Sequence, residues 1–292
     1  MSENLIALIS ASFLNAIALS SMYILMALGF AFLFSIMRII NFAHGVIYMI
    51  GGYICYELIA TVGLNHWLAL VATAIIVGAF GIFLERFCFR PFWGNFNRTI
   101  VVCIGIIIVL ENLVSLVQGY EVQRTPSFVP GIVDLGITSV SWERLVILFL
   151  GVILLILVLL FVNKTKPGLQ MQATAQDSEG AALQGISIYG MSRMATVIAC
   201  ALAGIAGGLM GSYLSLTAYM GTSIMLKILA ILVLGGIGSI KGIMLAGLII
   251  GTLDAFLPTV LTGPASEAVT LGVVVVLLLF RPQGFFGQEV RF

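Results

Sequence analysis

The chain has 292 residues, of which 61% are hydrophobic and only 9% are charged, and its mean hydropathy is +1.19. So few polar side chains cannot cover a soluble globule of this length, and the composition therefore indicates a protein of the lipid bilayer. The formal net charge of +1 excludes the strongly basic surface that binding to many nucleic-acid phosphates requires.

Apolar segments recur along the whole chain at lengths that suit membrane spans. A helix needs about 20 mostly apolar residues to cross ~30 Å of hydrocarbon, because each residue rises ~1.5 Å. This length predicts spans at residues 9–36, 43–62, 67–84, 100–117, 145–162, 194–216, 226–237, 243–257 and 268–280. The seventh is short and glycine-terminated, which also makes it a candidate re-entrant helix. We therefore predict an all-α fold, a polytopic helical membrane protein with eight or nine transmembrane segments in one domain, residues 1–292.

The basic residues predict an orientation for these spans. Most of the 13 Lys and Arg residues fall at span ends that alternate to one face, and the positive-inside rule makes that face cytoplasmic. The C-terminus then lies inside and, with nine crossings, the N-terminus lies outside. The loop of residues 119–143 is predicted to be extracytoplasmic, and the loop of residues 164–193 to be cytoplasmic.

The cytoplasmic loop is the one long polar run near the middle of the chain. Pro167 and Gly168 interrupt the chain after the fifth span, and residues 169–183 are rich in helix-forming residues. We predict a short helix there, with Gly185 as its stop. Such a helix suits a groove on a cytoplasmic partner, and the alternative is an ordinary solvated linker.

Polar residues near the first two spans suggest a pathway element. Asn41, His44 and Gly45 follow the first span, and Asn is a good N-cap, so the second span is predicted to start here near the inner end of a pathway. His44 is either a proton-sensitive gate or a hydrogen-bonded member of a tight turn.

Ionisable residues within the spans are the other candidates. Glu111 lies well inside the fourth span, where a carboxylate is expensive unless it is paired or hydrated, so it marks either the translocation path or a subunit seam. Asp254 in the eighth span poses the same question. Lys227 in the seventh span is its predicted partner in a structural ion pair.

Four sequence blocks, in chain order, carry a family resemblance. They are NFAHG from Asn41, followed by Met49 and Gly51; GLQMQATAQDSEGAALQGI from Gly168; VLGGIGS from Val233, followed by Gly242; and RPQGFFG from Arg281. The ordered set covers nearly the whole chain. It resembles the permease subunits of branched-chain amino acid ABC transporters, in the shorter, first-permease type of the leucine/isoleucine/valine uptake system.

The resemblance implies a coupling helix in the loop of residues 164–193, which lies across an ATPase and converts nucleotide-driven closure into opening of the membrane path. The candidate coupling residues are Gln172, Ala175, Asp177, Glu179, Ala182 and Gly185. The candidate path residues are Asn41, His44, Gly45, Glu111, Gly235 and Gly236. The family commonly carries Arg where this chain has Gln172, so a charge pair with the ATPase is not expected at that position.

The resemblance also implies partners: two ATP-binding subunits that hold ATP and Mg, a second homologous permease and an extracytoplasmic solute-binding protein. The location is the inner membrane of a prokaryote, in contact with lipid. The sequence has no G-x-x-x-x-G-K-S/T phosphate loop, so the energy source is expected on another chain. No catalytic residue, metal ligand set or cofactor site is predicted for this chain, since its four cysteines are scattered singly.

Two alternatives remain open at the level of the sequence. One is a permease of the same family for urea or short amides. The other is a self-contained channel or secondary transporter, in which Glu111, Asp254 and Lys227 would be the coupling or selectivity groups. A self-contained transporter would work alone, whereas a permease subunit would be inert without its ATPase.

Overall fold

The computed structural model describes residues 2–134, 139–236 and 238–286, and most of these are helical. The helices are α1 Ser2–Met37, α2 His44–Ala60, α3 His66–Phe83, α4 Phe96–Gln118, α5 Trp142–Lys164, α6 Lys166–Gln176, α7 Ser178–Leu183, α8 Ile188–Tyr213, α9 Met220–Gly235, α10 Ile240–Phe256 and α11 Gly263–Phe280. A π-helical turn, Leu84–Phe89, and a 3-10 turn, Arg90–Phe92, extend α3, and a 3-10 turn, Leu257–Thr259, extends α10. Strands β1 Ile132–Asp134 and β2 Ser139–Ser141 form an antiparallel hairpin that pairs Val133 with Val140.

Within the described residues, seven helices are long and apolar enough to cross a membrane: α1, extended α3, α4, α5, α8, extended α10 and α11. The other two apolar helices, α2 and α9, have 17 and 16 residues. The predicted polytopic helical fold is therefore confirmed, whereas the number of crossings stays a prediction. The predicted seventh span ends at Ile237 and the last sequence block at Gly287, and both residues lie outside the described part.

The chain forms two compact units. The first unit comprises Met1–Ala27, Ser127–Leu155 and Leu226–Phe292. Within it, α1 packs closely on α5 and α10 through small residues: a Cβ at Gly251 would overlap Ser20, and one at Gly151 would overlap Ser21. Because lipid supplies no hydrophobic force between helices, such close backbone approach is a main source of their association.

The second unit comprises Leu28–Pro126 and Ile156–Met225. Its centre is α8, which packs against α2 and α3. Gly51 meets the backbone of Gly204, and a Cβ at Gly207 would overlap the carbonyl oxygen of Tyr48. The seam between α2 and α8 is therefore backbone against backbone, with no side chain between the two helices at these points.

A non-helical segment, residues 214–219, joins α8 to α9 in the second unit. Leu216 and Ala218 are buried in an apolar cluster with Tyr53 of α2 and Leu110 of α4. Leu216 also exchanges two backbone hydrogen bonds with Gln123, at 2.8 and 3.1 Å. Irregular backbone is tolerated at membrane depth only where protein or a water-filled cavity surrounds it. Leu216 and Ala218 meet this condition, since both are buried against α2 and α4.

Candidate coupling segment and membrane-embedded site

The polar loop turns back sharply at the end of α5. Thr165 Oγ1 accepts a hydrogen bond from the Gly168 N–H at 3.1 Å and so caps α6. A Cβ at Gly168 would overlap the carbonyl oxygen of Phe161, so only glycine fits where α6 packs against α5. Gln172 Nε2 donates to the carbonyl oxygen of Val162 at 2.8 Å, which satisfies a carbonyl at the open end of α5. Gln172 thus fastens α6 to α5.

The predicted single helix over residues 169–183 is wrong at Asp177, where the structure has two helices. Asp177 adopts extended backbone angles, φ −146° and ψ 101°. Its Oδ1 accepts the N–H groups of Glu179 at 3.1 Å and Gly180 at 3.0 Å. Asp177 is therefore the N-cap of α7, and its side chain is used in ending one helix and starting the next.

The stop predicted at Gly185 is confirmed. Gly185 has φ 81°, a conformation that glycine adopts without strain. Its N–H bonds the carbonyl of Ala182 at 2.9 Å, and the N–H of Ile186 bonds that of Ala181 at 3.1 Å, the two bonds of a Schellman motif. Ser187 then caps α8 through the N–H of Gly190 at 3.2 Å. The shape of the segment from α5 to α8 is thus fixed by its own local hydrogen bonds.

The outer surface of α6 and α7 is polar but carries two exposed leucines. Glu179 and Ala182 are exposed. Leu169 is 52% exposed and Leu183 is 87% exposed. Because these leucines stand on a short polar segment rather than on a span, they are apolar anchors that a protein partner could bury.

Arg38 links the end of α1 to this segment. It has φ 54°, and among the described residues no other non-glycine residue has a positive φ. Its Nη2 donates to the carbonyl oxygen of Ala175 at 3.2 Å, in the last turn of α6, where the helix carries its negative end. A strained backbone conformation of this kind persists only where the surrounding structure enforces it. Sequence reasoning treated Arg38 only as a marker of orientation.

A cavity of about 540 Å³ separates the end of α1 from the α6–α7 junction. Its lining includes Arg38, Trp93, Asn95, Asp177 and Glu179. The structure therefore brings the candidate coupling residues Ala175, Asp177 and Glu179 to one side of the second unit, beside the end of α1.

The candidate path residues Asn41, His44 and Gly45 are buried at the start of α2. The predicted N-cap role of Asn41 is wrong: the N-cap position is Ala43, and Asn41 Oδ1 accepts the Ala43 N–H at 3.1 Å within the preceding turn. The His44 ring lies edge-on to Phe30, with 5.9 Å between the ring centroids. The full burial of His44 favours its structural role over that of a gate.

The first turn of α9 adjoins two of the candidate path residues. A Cβ at Gly45 would overlap the carbonyl oxygen of Gly221, so the starts of α2 and α9 touch through their backbones. The next residue, Thr222, donates its hydroxyl to Glu111 Oε1 at 2.8 Å. Gly45 and Glu111 thus both contact the first turn of α9. Sequence reasoning missed Thr222, since an isolated threonine in an apolar run gives no signal.

Glu111 lies within the hydrocarbon depth of α4. It follows Phe96 by about 22 Å along the helix and precedes Gln118 by about 10 Å. Its side chain is half-buried, and the neighbouring Asn112 is exposed.

Gly235 and Gly236 lie at the opposite end of α9, in the first unit. Gly235 packs on the backbone of Gly242, and Gly236, with φ 90°, follows the last helical residue. The N–H of Phe285 bonds the carbonyl of Leu234 at 2.8 Å, so the last two sequence blocks meet here. These two glycines thus belong to the first unit, whereas Glu111 belongs to the second.

The predicted ion pair between Lys227 and Asp254 is confirmed. Lys227 Nζ lies 2.6 Å from Asp254 Oδ2 and 3.8 Å from Glu267 Oε1. Asp254 also accepts hydrogen bonds from the hydroxyls of Tyr23 at 2.8 Å and Thr270 at 3.1 Å. Four helices, α1, α9, α10 and α11, thus share one polar network.

Comparisons with known proteins identify the family of this chain. The family model described as branched-chain amino acid transport system / permease component matches residues 12–280. The high-affinity branched-chain amino acid transport system permease protein BraD of Pseudomonas aeruginosa is 34% identical over 290 residues, 94% of each chain. The corresponding permease protein LivH of Salmonella typhimurium is 32% identical over 304 residues, 99% of this chain and 98% of LivH.

Among solved structures, PsaBC from Streptococcus pneumoniae in complex with Fab is similar at a TM-score of 0.49 and 12% identity, over 95% of this chain and 92% of that one. The family model and the nearly full-length identity to BraD and LivH show that this chain belongs to the permease components of branched-chain amino acid transport systems.

Proposed function

We propose that this permease pairs with a second homologous permease to form the path by which branched-chain amino acids cross the inner membrane of a prokaryote. Two ATP-binding subunits, which carry ATP and Mg, drive the cycle from the cytoplasm, and a solute-binding protein delivers the solute to the outer face. The chain itself binds no cofactor. The names of BraD and LivH support the solute class, and the mostly apolar spans suit leucine, isoleucine and valine.

The observation that carries the coupling role is the construction of the α6–α7 segment. Gln172 fastens it to α5, Arg38 fastens it to the end of α1, and the Ser187 cap leads directly into α8. A displacement of the segment therefore acts at once on α8 and on the ends of α1 and α5 that belong to the second unit. Its exposed leucines and Glu179 provide the surface that an ATPase would hold.

Leu183→Asp tests this surface, because Leu183 is almost fully exposed and its replacement disturbs no internal contact. Burying a leucine side chain contributes about 1.5–3 kcal/mol, so we expect about 10- to 100-fold weaker association with the ATP-binding subunits. Asp177 is a poorer probe, since its replacement also removes the α7 cap. Val260→Asp is the matched control: Val260 is 85% exposed and follows α10 at the predicted opposite face.

The measurement is co-purification of the ATP-binding subunits with the tagged permease, followed by ATP-dependent leucine uptake in proteoliposomes. Unchanged co-purification and uptake with Leu183→Asp would contradict the coupling role. Uphill leucine accumulation by the permease alone would contradict the proposed function itself and favour a self-contained transporter.

A further inference from the structure

Asp254 and Glu111 both lie within apolar helices, and their surroundings differ. Asp254 is 7% exposed as a side chain and is compensated by Lys227 and two hydroxyls. Glu111 is half-buried and accepts a hydrogen bond from the hydroxyl of Thr222. In the part of the chain that the structure describes, ion pairs form at Glu85, Asp254 and Glu267, but none forms at Glu111.

The surface beside Glu111 is polar at a depth where lipid-facing surfaces are apolar. Thr222 of α9, which bonds Glu111, is exposed, and so is the next residue of each helix, Asn112 of α4 and Ser223 of α9. Ionisable residues in membrane spans almost always face a protein interior or a water-filled cavity, because a charge facing hydrocarbon is expensive. This polar surface, Glu111, Asn112, Thr222 and Ser223, is therefore not a lipid contact.

Two apolar residues of α4 lie on the same helix face as Glu111, toward the N-terminus of the helix. Ile108 lies three residues before Glu111 and Ile104 seven residues before it, so both share its helix face, one and two turns away. Both isoleucine side chains are exposed. A half-buried carboxylate with exposed isoleucines on the same helix face matches a small molecule that carries an ammonium group at one end and a branched aliphatic group at the other.

We infer that Glu111 binds the ammonium group of the translocated α-amino acid, with Thr222 orienting the carboxylate and Ile108 contacting the aliphatic side chain. The inference rests on the proposed function and deepens it by naming the solute-binding group. The ammonium group of the solute becomes the partner of Glu111 when the solute arrives and is removed when it leaves, so the Glu111 carboxylate is paired with a cation only in the loaded state.

The test uses the complete transporter, with both permeases and both ATP-binding subunits, in detergent without the solute-binding protein. Radiolabelled leucine binding is measured with two competitors: leucinol, which keeps the ammonium group, and 4-methylpentanoate, which lacks it. The wild type should be competed by leucinol and not by 4-methylpentanoate. Glu111→Gln should lower leucine affinity about 10- to 100-fold, as expected for loss of a charge-assisted hydrogen bond, and should abolish the preference for leucinol.

Two further variants separate binding from folding. Glu111→Asp keeps the charge and should retain the preference for leucinol at reduced affinity. Glu57→Gln is the matched control, because Glu57 also bonds an α4 side chain, Gln118 at 2.6 Å, but lies near the end of α2. It should bind leucine as the wild type does.

Wild-type affinity and competitor preference in Glu111→Gln would overturn the inference. Loss of the second permease from the Glu111→Gln complex would also overturn it, since Glu111 would then pair with a cation of that subunit. If the complete wild-type transporter neither binds nor transports branched-chain amino acids, the proposed function fails as well, which distinguishes the two failures.

Discussion

Lys227→Met and Asp254→Asn remove the two sides of the same buried ion pair, and we expect them to differ in cost. Lys227 and Asp254 are only 16% and 7% exposed as side chains. Lys227→Met leaves the Asp254 carboxylate without its cation, and removal of one partner from a buried pair costs about 3–5 kcal/mol of unfolding free energy. The hydroxyls of Tyr23 and Thr270 reduce this cost but supply no charge.

Asp254→Asn should cost less, below about 2 kcal/mol, because the amide keeps a hydrogen bond to each hydroxyl: its oxygen accepts from Tyr23 in the Oδ2 position, and its NH2 group donates to Thr270 Oγ1. Lys227 also retains Glu267 at 3.8 Å, and Glu267 is more than half exposed. The double variant leaves neither charge uncompensated, so it should be more stable than Lys227→Met alone. A double-mutant cycle on the two sites then gives a favourable coupling energy.

The unfolding free energy is measured by titrating the purified permease with a denaturing detergent in mixed micelles and following helix content. Equal losses for the two single variants, or a double variant that loses the sum of both, would refute the reasoning. Either result would mean that water reaches this network freely and that its charges do not depend on each other.

Two further predictions concern the helix seam and the topology. Gly207→Ala should cost about 1–3 kcal/mol of unfolding free energy, because its methyl group would overlap a backbone carbonyl. Gly105→Ala is the control and should be tolerated, because the space at its Cβ position is open. Equal thermal stability of the two variants would contradict the close contact between α2 and α8. In a background without native cysteines, Ser178→Cys should react with an impermeant maleimide from the cytoplasmic side and Ser127→Cys from the outside, and labelling of both from one side would refute the predicted orientation.

Apolar length alone predicts the nine apolar helices of the described residues, because a chain in lipid must satisfy its backbone hydrogen bonds within each segment. The ends are less predictable. α8 begins at Ile188 rather than at residue 194, since its first turns are stabilised by the Ser187 cap and not by apolar character. α9 begins at Met220 rather than at residue 226, because the buried segment before it sets the start.

The break at Asp177 shows how a single side chain can outweigh summed propensity. The residues from Leu169 to Leu183 favour one helix, but the two hydrogen bonds that the Asp177 carboxylate accepts from backbone N–H groups of the next turn favour two. The signal was present in the sequence, since Asp is a strong N-cap residue and Glu179 follows it in the first turn.

The contacts that define the candidate sites could not be read from local pattern. Arg38 meets Ala175 across 137 residues of sequence, and Thr222 meets Glu111 across 111. Periodicity places each residue on its own helix but says nothing about which helices are neighbours. The Lys227 and Asp254 pair was predictable because opposite charges in adjacent apolar spans have few other ways to be compensated.

The backbone contacts between α2 and α8 have a mechanical consequence. Helices separated by long side chains can shift past each other as rotamers change, but the glycines at Gly51, Gly204 and Gly207 leave no such compliance. A tilt of α8 must therefore carry α2 with it as one rigid lever. A displacement of the first turn of α8 would therefore move α2 by the same rigid-body motion, with no side-chain rearrangement between the two helices.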